Sequence, residues 1–129
     1  MSTLRKPTTV NSLQASSRGT PSYFQGSCAV GGAGGGQIDQ ATGFAYSFPL
    51  LITNGITAMT CAIIPGVGGA GHIEYSISPP DQILDDTAWW WCWPAGTVSE
   101  PFCDLLQGPV TAIRAVSIAG SVSFEIVGC

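Results

Sequence analysis

Apolar and polar positions along the second half of the chain alternate with a period of two. In His72 to Ser78, Ile73, Tyr75 and Ile77 fall on one side and His72, Glu74, Ser76 and Ser78 on the other, the pattern of a half-buried β-strand with a polar outer face. Near the C-terminus, Val122, Phe124 and Ile126 alternate with Ser121, Ser123 and Glu125. Upstream, two apolar runs, FAYSFPLLI from Phe44 and ITAMTCAII from Ile56, flank Asn54-Gly55, a pair that favours a hairpin turn. Pro65 and the glycines from Gly66 to Gly71 close the second run, and PPDQILDDT (79–87) reads as a solvated connection. Pro109 to Ile118 and Ser121 to Val127 predict a closing hairpin across Ala119-Gly120. Six or so short strands separated by turn residues, with no stretch of 3.6-residue periodicity, predict an all-β protein, an antiparallel β-sandwich of jelly-roll or immunoglobulin-like type.

The first 27 residues carry no such period. They mix Ser, Thr, Pro and Gln with scattered apolar positions, and GGAGGG follows at Gly31 to Gly36. The expectation is an extended N-terminal arm and Gly-rich joint over residues 1–43 and a sandwich domain over 44–129. Trp89-Trp90-Trp91-Cys92-Trp93 predicts a strand with Trp89, Trp91 and Trp93 on one face and Trp90 and Cys92 on the other. Neither face is polar, so both need cover, from the domain's own core and from a neighbouring subunit.

Composition strengthens that inference. Only 12 of 129 residues are charged, 9% against about 25% in ordinary domains, while 45% are hydrophobic, so much of the surface is expected to be covered by other chains. Arg5, Lys6 and Arg18 give the first 18 residues a charge of +3; the remainder sets Arg114 against eight carboxylates, for −7. A basic strap on an acidic body suits docking on an acidic neighbour, whereas three cations do not form the dense stripe that nucleic acid requires.

Motifs that would carry chemistry are weak. Gly66, Gly68 and Gly71 match G-x-G-x-x-G, but the residues that follow are β-patterned, and a dinucleotide site needs a helix N-terminus there. The sole histidine, His72, would have to be the base of any Ser-His-Asp or Cys-His mechanism; a surface role is favoured. Asp81, Asp85 and Asp86 lack the spacing of a calcium loop or a clear glycosidase pair. Cys28, Cys61, Cys92, Cys103 and Cys129 form no CxxC and have no neighbouring His, so buried free thiols are expected, without metal or cofactor. The start shows no secretory h-region and no run is long enough to span a bilayer, which predicts synthesis in a cytoplasm and no membrane partner.

IEYSISPPD (Ile73 to Asp81), WPAG (Trp93 to Gly96) and GPVTAIRAVSIAGSVSFEIV (Gly108 to Val127) give the C-terminal half, about 55 residues, a resemblance to small β-sandwich virion structural proteins of tailed bacteriophages, the head decoration or cement proteins. The resemblance implies a non-enzymatic component on the outside of the capsid, synthesised in the host bacterial cytoplasm. It would bind the major capsid protein, stabilise contacts between its copies and commonly form a homotrimer, with no catalytic residue or cofactor to carry over. Arg5, Lys6, Arg18, Tyr23 and Phe24 would then belong to an assembly arm, and Trp89, Trp90, Trp91 and Trp93 to the subunit interface and core. The alternatives are a tail, fibre or neck component, and a carbohydrate-binding module for host attachment with the tryptophans as stacking platform.

Overall fold

The computed structural model describes residues 10–15, 20–31, 36–53, 56–107 and 109–129. Its strands are β1 (Asn11–Leu13), β2 (Ser22–Ala29), β3 (Gly36–Ile38), β4 (Ala45–Ser47), β5 (Leu50–Ile52), β6 (Ala58–Pro65), β7 (Ala70–Ser76), β8 (Trp91–Cys92), β9 (Phe102–Gln107), β10 (Ala112–Ala119) and β11 (Ser121–Gly128), with one short helix, α1 (Pro80–Leu84). They form two sheets, so the expected β-sandwich is the fold. One sheet runs β2-β11-β6-β9. In the other, β10 is flanked by β7 and then β8 on one side; on its other side lie β4 and β5, which pair outward with β3 and β1 respectively.

Alternation explains most of these strands. Val122, Phe124 and Ile126 of β11 are buried, and Ser121, Ser123 and Glu125 between them are exposed. Their inner face meets Ile63, Cys61 and Met59 of β6 and, across the sandwich, Ile113, Ala115 and Ile73 of the facing sheet. Strand β10 is central and buried on both faces from Ala112 to Ser117, which is why its sequence reads as a continuous small and apolar run interrupted by Arg114. Pro49 splits what would be one strand beside β10 into β4 and β5, since it has no N–H to give the ladder. The Ser47 hydroxyl accepts the Ala115 N–H at 2.8 Å.

Three expectations need correction. The boundary at residue 44 does not hold for the described residues, because β2 pairs with β11 along its whole length, from Ser22↔Gly128 to Ala29↔Ser121. β1 and β3 likewise belong to the larger sheet. Residues 11–13, 22–29 and 36–38 are thus parts of the sandwich; their short or glycine-containing strands conceal the period, and Gly26 occupies an inward position where Phe124 fills the space a side chain would take. Secondly, neither predicted hairpin forms: β5 and β6, and β10 and β11, lie in opposite sheets. Gly120, with φ of 59°, turns the corner between β10 and β11, and the Ser117 hydroxyl donates to the Gly120 carbonyl at 2.8 Å. Turn chemistry shows that a chain reverses, and not whether it returns to the same sheet. Asn54-Gly55 itself lies outside the described residues. Thirdly, 80–84 is a single helical turn, started by Pro80 and anchored by buried Ile83, in place of an irregular connection.

Candidate interaction surfaces

The outer face of the larger sheet carries a closed polar cluster. Glu74 of β7 and Arg114 of β10 are register partners, so their side chains project from the same face. Arg114 Nε and a terminal guanidinium nitrogen reach Glu74 Oε1 at 2.9 and 2.8 Å. His72, two residues back on β7, brings Nε2 to 3.1 Å from Glu74 Oε2, and the Thr97 hydroxyl lies 3.4 Å from His72 Nδ1. The guanidinium carbon sits 4.4 Å from the Tyr46 ring centre and 4.1 Å from that of Trp90. Burial acts to raise the Glu74 pKa, but the His72 hydrogen bond and the Arg114 charge outweigh it and hold the carboxyl below its ordinary value. The expected solvated polar face of β7 is therefore largely covered, with Ser76 fully buried and Ile77, beyond the strand end, exposed. Two sequence signals pointed to this cluster without being connected: the His72-x-Glu74 spacing on a strand and a lone arginine within an apolar one.

The tryptophans do not share one surface. Trp93 is 2% exposed, donates its indole N–H to the Gly96 carbonyl at 2.7 Å and meets Phe102 edge-on. Trp90 covers Arg114. Trp89 and Trp91 are 74% and 53% exposed. Only Trp91 and Cys92 form a strand, paired with Tyr75 and Glu74 of β7, and the Trp93 N–H goes on to donate to the Ile73 carbonyl at 2.9 Å. The expected five-residue strand is thus corrected to two; the expected alternation holds, with Trp90 and Cys92 beside Arg114 and Glu74, while Trp93 reaches the core and Trp91, nearer the flank, stays exposed.

Beside Trp91, the flank between the two sheets opens into a depression of about 470 Å³ lined by Tyr75, Pro94, Asp104, Leu105 and Leu106. β8 and β9 are the last strands of their sheets on this flank. Asp104 occupies an inward-facing register position on β9 opposite Cys61, a charged residue placed where it discourages further strand pairing. One of its oxygens accepts the Leu105 N–H at 2.8 Å.

The outer face of the four-stranded sheet is open. Register places Tyr23, Val127, Thr60 and Leu105 in one cross-strand row, and Gln25, Glu125, Ala62 and Cys103 in the next. Ser27, Ser123 and Ile64 follow. Tyr23 is 74% and Leu105 58% exposed, and Glu125 is the one charged residue in these rows. Of the residues expected on an arm, Tyr23 contributes to this face, whereas Phe24 points inward and packs 5.9 Å from Phe124. Arg5, Lys6 and Arg18 lie outside the described residues.

The glycine motif between β6 and β7 has a structural explanation. Gly68 adopts φ of 72°, and a Cβ on Gly71 would fall 2.2 Å from the Val116 carbonyl oxygen. Among the described residues, no cluster of three or more His, Cys, Asp and Glu side chains has the geometry to hold a metal ion. No described helix is long and apolar enough to cross a membrane. All five cysteines are free, but the expected burial holds only for Cys28 and Cys61; Cys92, Cys103 and Cys129 lie at exposed strand or chain ends or on an open sheet face. Burial pushes the Cys61 thiol up to about 12 and the Cys28 thiol to about 11. A thiol-exchange reagent at neutral pH is therefore expected to label Cys92, Cys103 and Cys129 in the native protein, with Cys28 and Cys61 reacting only after denaturant is added, as read by mass spectrometry.

No family model matches this chain, and no curated protein does. Among solved structures, the chain is similar to the K1 cleaved adhesin domain of Lys-gingipain from Porphyromonas gingivalis W83, at 12% identity over 89% of this chain and 77% of that one, with a TM-score of 0.33. It is also similar to infectious bursal disease virus, Gx strain, at 16% identity over 84% of this chain and 33% of that one, TM-score 0.34. A third similarity is to the C-terminal CBM6 of the laminarinase LamC from Zobellia galactanivorans, at 11% identity over 91% and 86%, TM-score 0.31. No functional property is carried from them to this chain.

Proposed function

We propose that this chain is a non-enzymatic structural subunit of a virion, a decoration or cement protein that docks on the outside of a tailed-phage head and braces contacts between major capsid proteins. The observation that carries the proposal is the open face of β2-β11-β6-β9, where exposed Tyr23, Leu105 and Ile64 stand among small uncharged side chains around a single carboxylate. A face so short of charge gains by being covered, and a flat sheet surface is shaped to cover and be covered by another protein. The general shortage of charge, 12 residues in 129, supports the same reading. The resemblance of the C-terminal half to head decoration proteins supplies the choice of partner.

The test is co-sedimentation of the purified chain with empty heads assembled from the major capsid protein. Binding in hundreds of copies per head, with a raised disruption temperature of the heads, is the expected outcome, and Tyr23→Glu with Leu105→Glu should weaken it at least tenfold while the isolated chain keeps its far-ultraviolet spectrum. Heads that neither retain the chain nor gain stability would overturn the proposal. A stoichiometry of a few to dozens per particle would place the chain in the tail or neck instead.

Exposed Trp89 and Trp91 favour one second reading, a sugar-binding surface for host attachment. Saturable changes in tryptophan fluorescence on titration with cellotriose or laminaritriose, lost in Trp91→Ala, would support it.

A further inference from the structure

The charge of this protein is divided unevenly along its sequence. Among the described residues Arg114 is the sole Lys or Arg, and it is committed to Glu74, Tyr46 and Trp90. Every other Lys or Arg, namely Arg5, Lys6 and Arg18, precedes β2 in the sequence, and Arg5 and Lys6 precede β1. Strand β1 lies at one edge of the larger sheet, beyond β5; β8 lies at the other edge, beyond β7. At β8 the flank opens into the groove lined by Tyr75, Pro94, Asp104 and Leu105, with exposed Trp91 beside Tyr75. A carboxylate beside aromatic and apolar walls is the chemistry that receives a Lys or Arg side chain: the charge pairs with the acid, the stem lies on apolar surface, and the cation approaches an aromatic face.

The chain's own first nine residues are poorly placed to supply that cation. Between β1 and β8 lie β5, β10 and β7, so crossing one sheet face alone spans about 19 Å at 4.8 Å per strand. Arg5 and Lys6 stand six and five residues before Asn11, so an extended chain carries them about 20 Å at most, and the path must also pass round the sheet edge at each end. The same length directed away from the β1 edge reaches an adjoining molecule without a turn. We infer that the groove between β8 and β9 receives the basic segment around Arg5 and Lys6 of a second copy of this chain, so that copies associate head to tail. Donor and acceptor surfaces at opposite edges make the contact heterologous, and such contacts close into a ring when the rotation per copy permits, a trimer being the smallest beyond a pair. The inference rests on reading the chain as an assembly subunit and names the contact through which it assembles with itself.

The test is light scattering of the full-length chain over a range of concentrations, without heads, so it is independent of capsid binding. Wild type is expected to be oligomeric, with dissociation promoted by salt. Arg5→Glu with Lys6→Glu should weaken association by roughly tenfold or more while the circular dichroism spectrum is unchanged, and adding Asp104→Lys to that pair should restore association in part. Monomeric wild type at every concentration would overturn the inference, as would an oligomer indifferent to the Arg5 and Lys6 reversals. In either case capsid binding, measured by co-sedimentation, would still stand or fall separately.

Discussion

Arg114→Ala is expected to cost about 3–5 kcal/mol of folding stability, a large share of what a domain of this size possesses. The substitution leaves Glu74 largely covered, with 16% of its side chain exposed and only His72 to meet its charge. It also removes the guanidinium from beside Tyr46 and Trp90. Chemical denaturation followed by circular dichroism measures the loss. Combining Arg114→Met with Glu74→Gln should recover much of it, because an uncharged pair of similar shape carries no stranded charge. A double variant as unstable as Arg114→Ala would show that stacking on the two rings, and not charge pairing, dominates. The same cluster fixes a pH dependence. Since the folded Glu74 pKa lies below its unfolded value, its contribution is present above the ordinary carboxylate pKa of 4.5 and is lost as pH falls through the folded value. Wild type should therefore lose stability on acidification below about pH 4.5, and Glu74→Gln should flatten that part of the profile.

The second large effect concerns the N-terminal third. Deleting residues 1–29 is expected to abolish cooperative folding, whereas deleting residues 1–9, which leaves β1 and β2 in place, should keep a cooperative melting transition. The longer deletion removes β2, which covers one edge of β11 over eight register pairs, and with it buried Cys28 and the Phe24 ring that packs on Phe124. Phe124, Val122 and Ile126 would then border an unpaired strand edge. Even Phe124→Ala alone removes a fully buried ring, worth about 3–5 kcal/mol. Thermal melts of the two truncations distinguish a sandwich that includes β2 from one to which residues 1–43 are an appended arm: if the chain lacking residues 1–29 melted like wild type, β2 would be dispensable.

Both corrections share a cause. An arm was expected because Ser22 to Ala29 lacks bulky residues at each inward position: Gly26 stands where the facing Phe124 ring already fills the space. Strand pairing with β11 supplies what the local pattern lacks. The hairpins failed for a related reason. Ala119-Gly120 does turn the chain, yet β10 and β11 both present apolar residues toward the same interior, so they bury more by facing across the core than by lying side by side.

What the sequence determined by itself was the all-β class, the inward face of β11, the alternation of β7 around Ile73, and the uneven division of charge. These are properties of single residues and of neighbours two apart, for which local pattern is sufficient. The tertiary structure alone decided which tryptophan is core and which is exposed, because that depends on which β7 residue each one lies against, Ile73 of the core for Trp93 and Tyr75 for Trp91. It also decided that Arg114 meets Glu74, 40 residues distant, and that Tyr75, Pro94 and Asp104 border one groove. Those juxtapositions arise from strand order and register, which are set by the best burial of the whole chain and are not encoded at any one position.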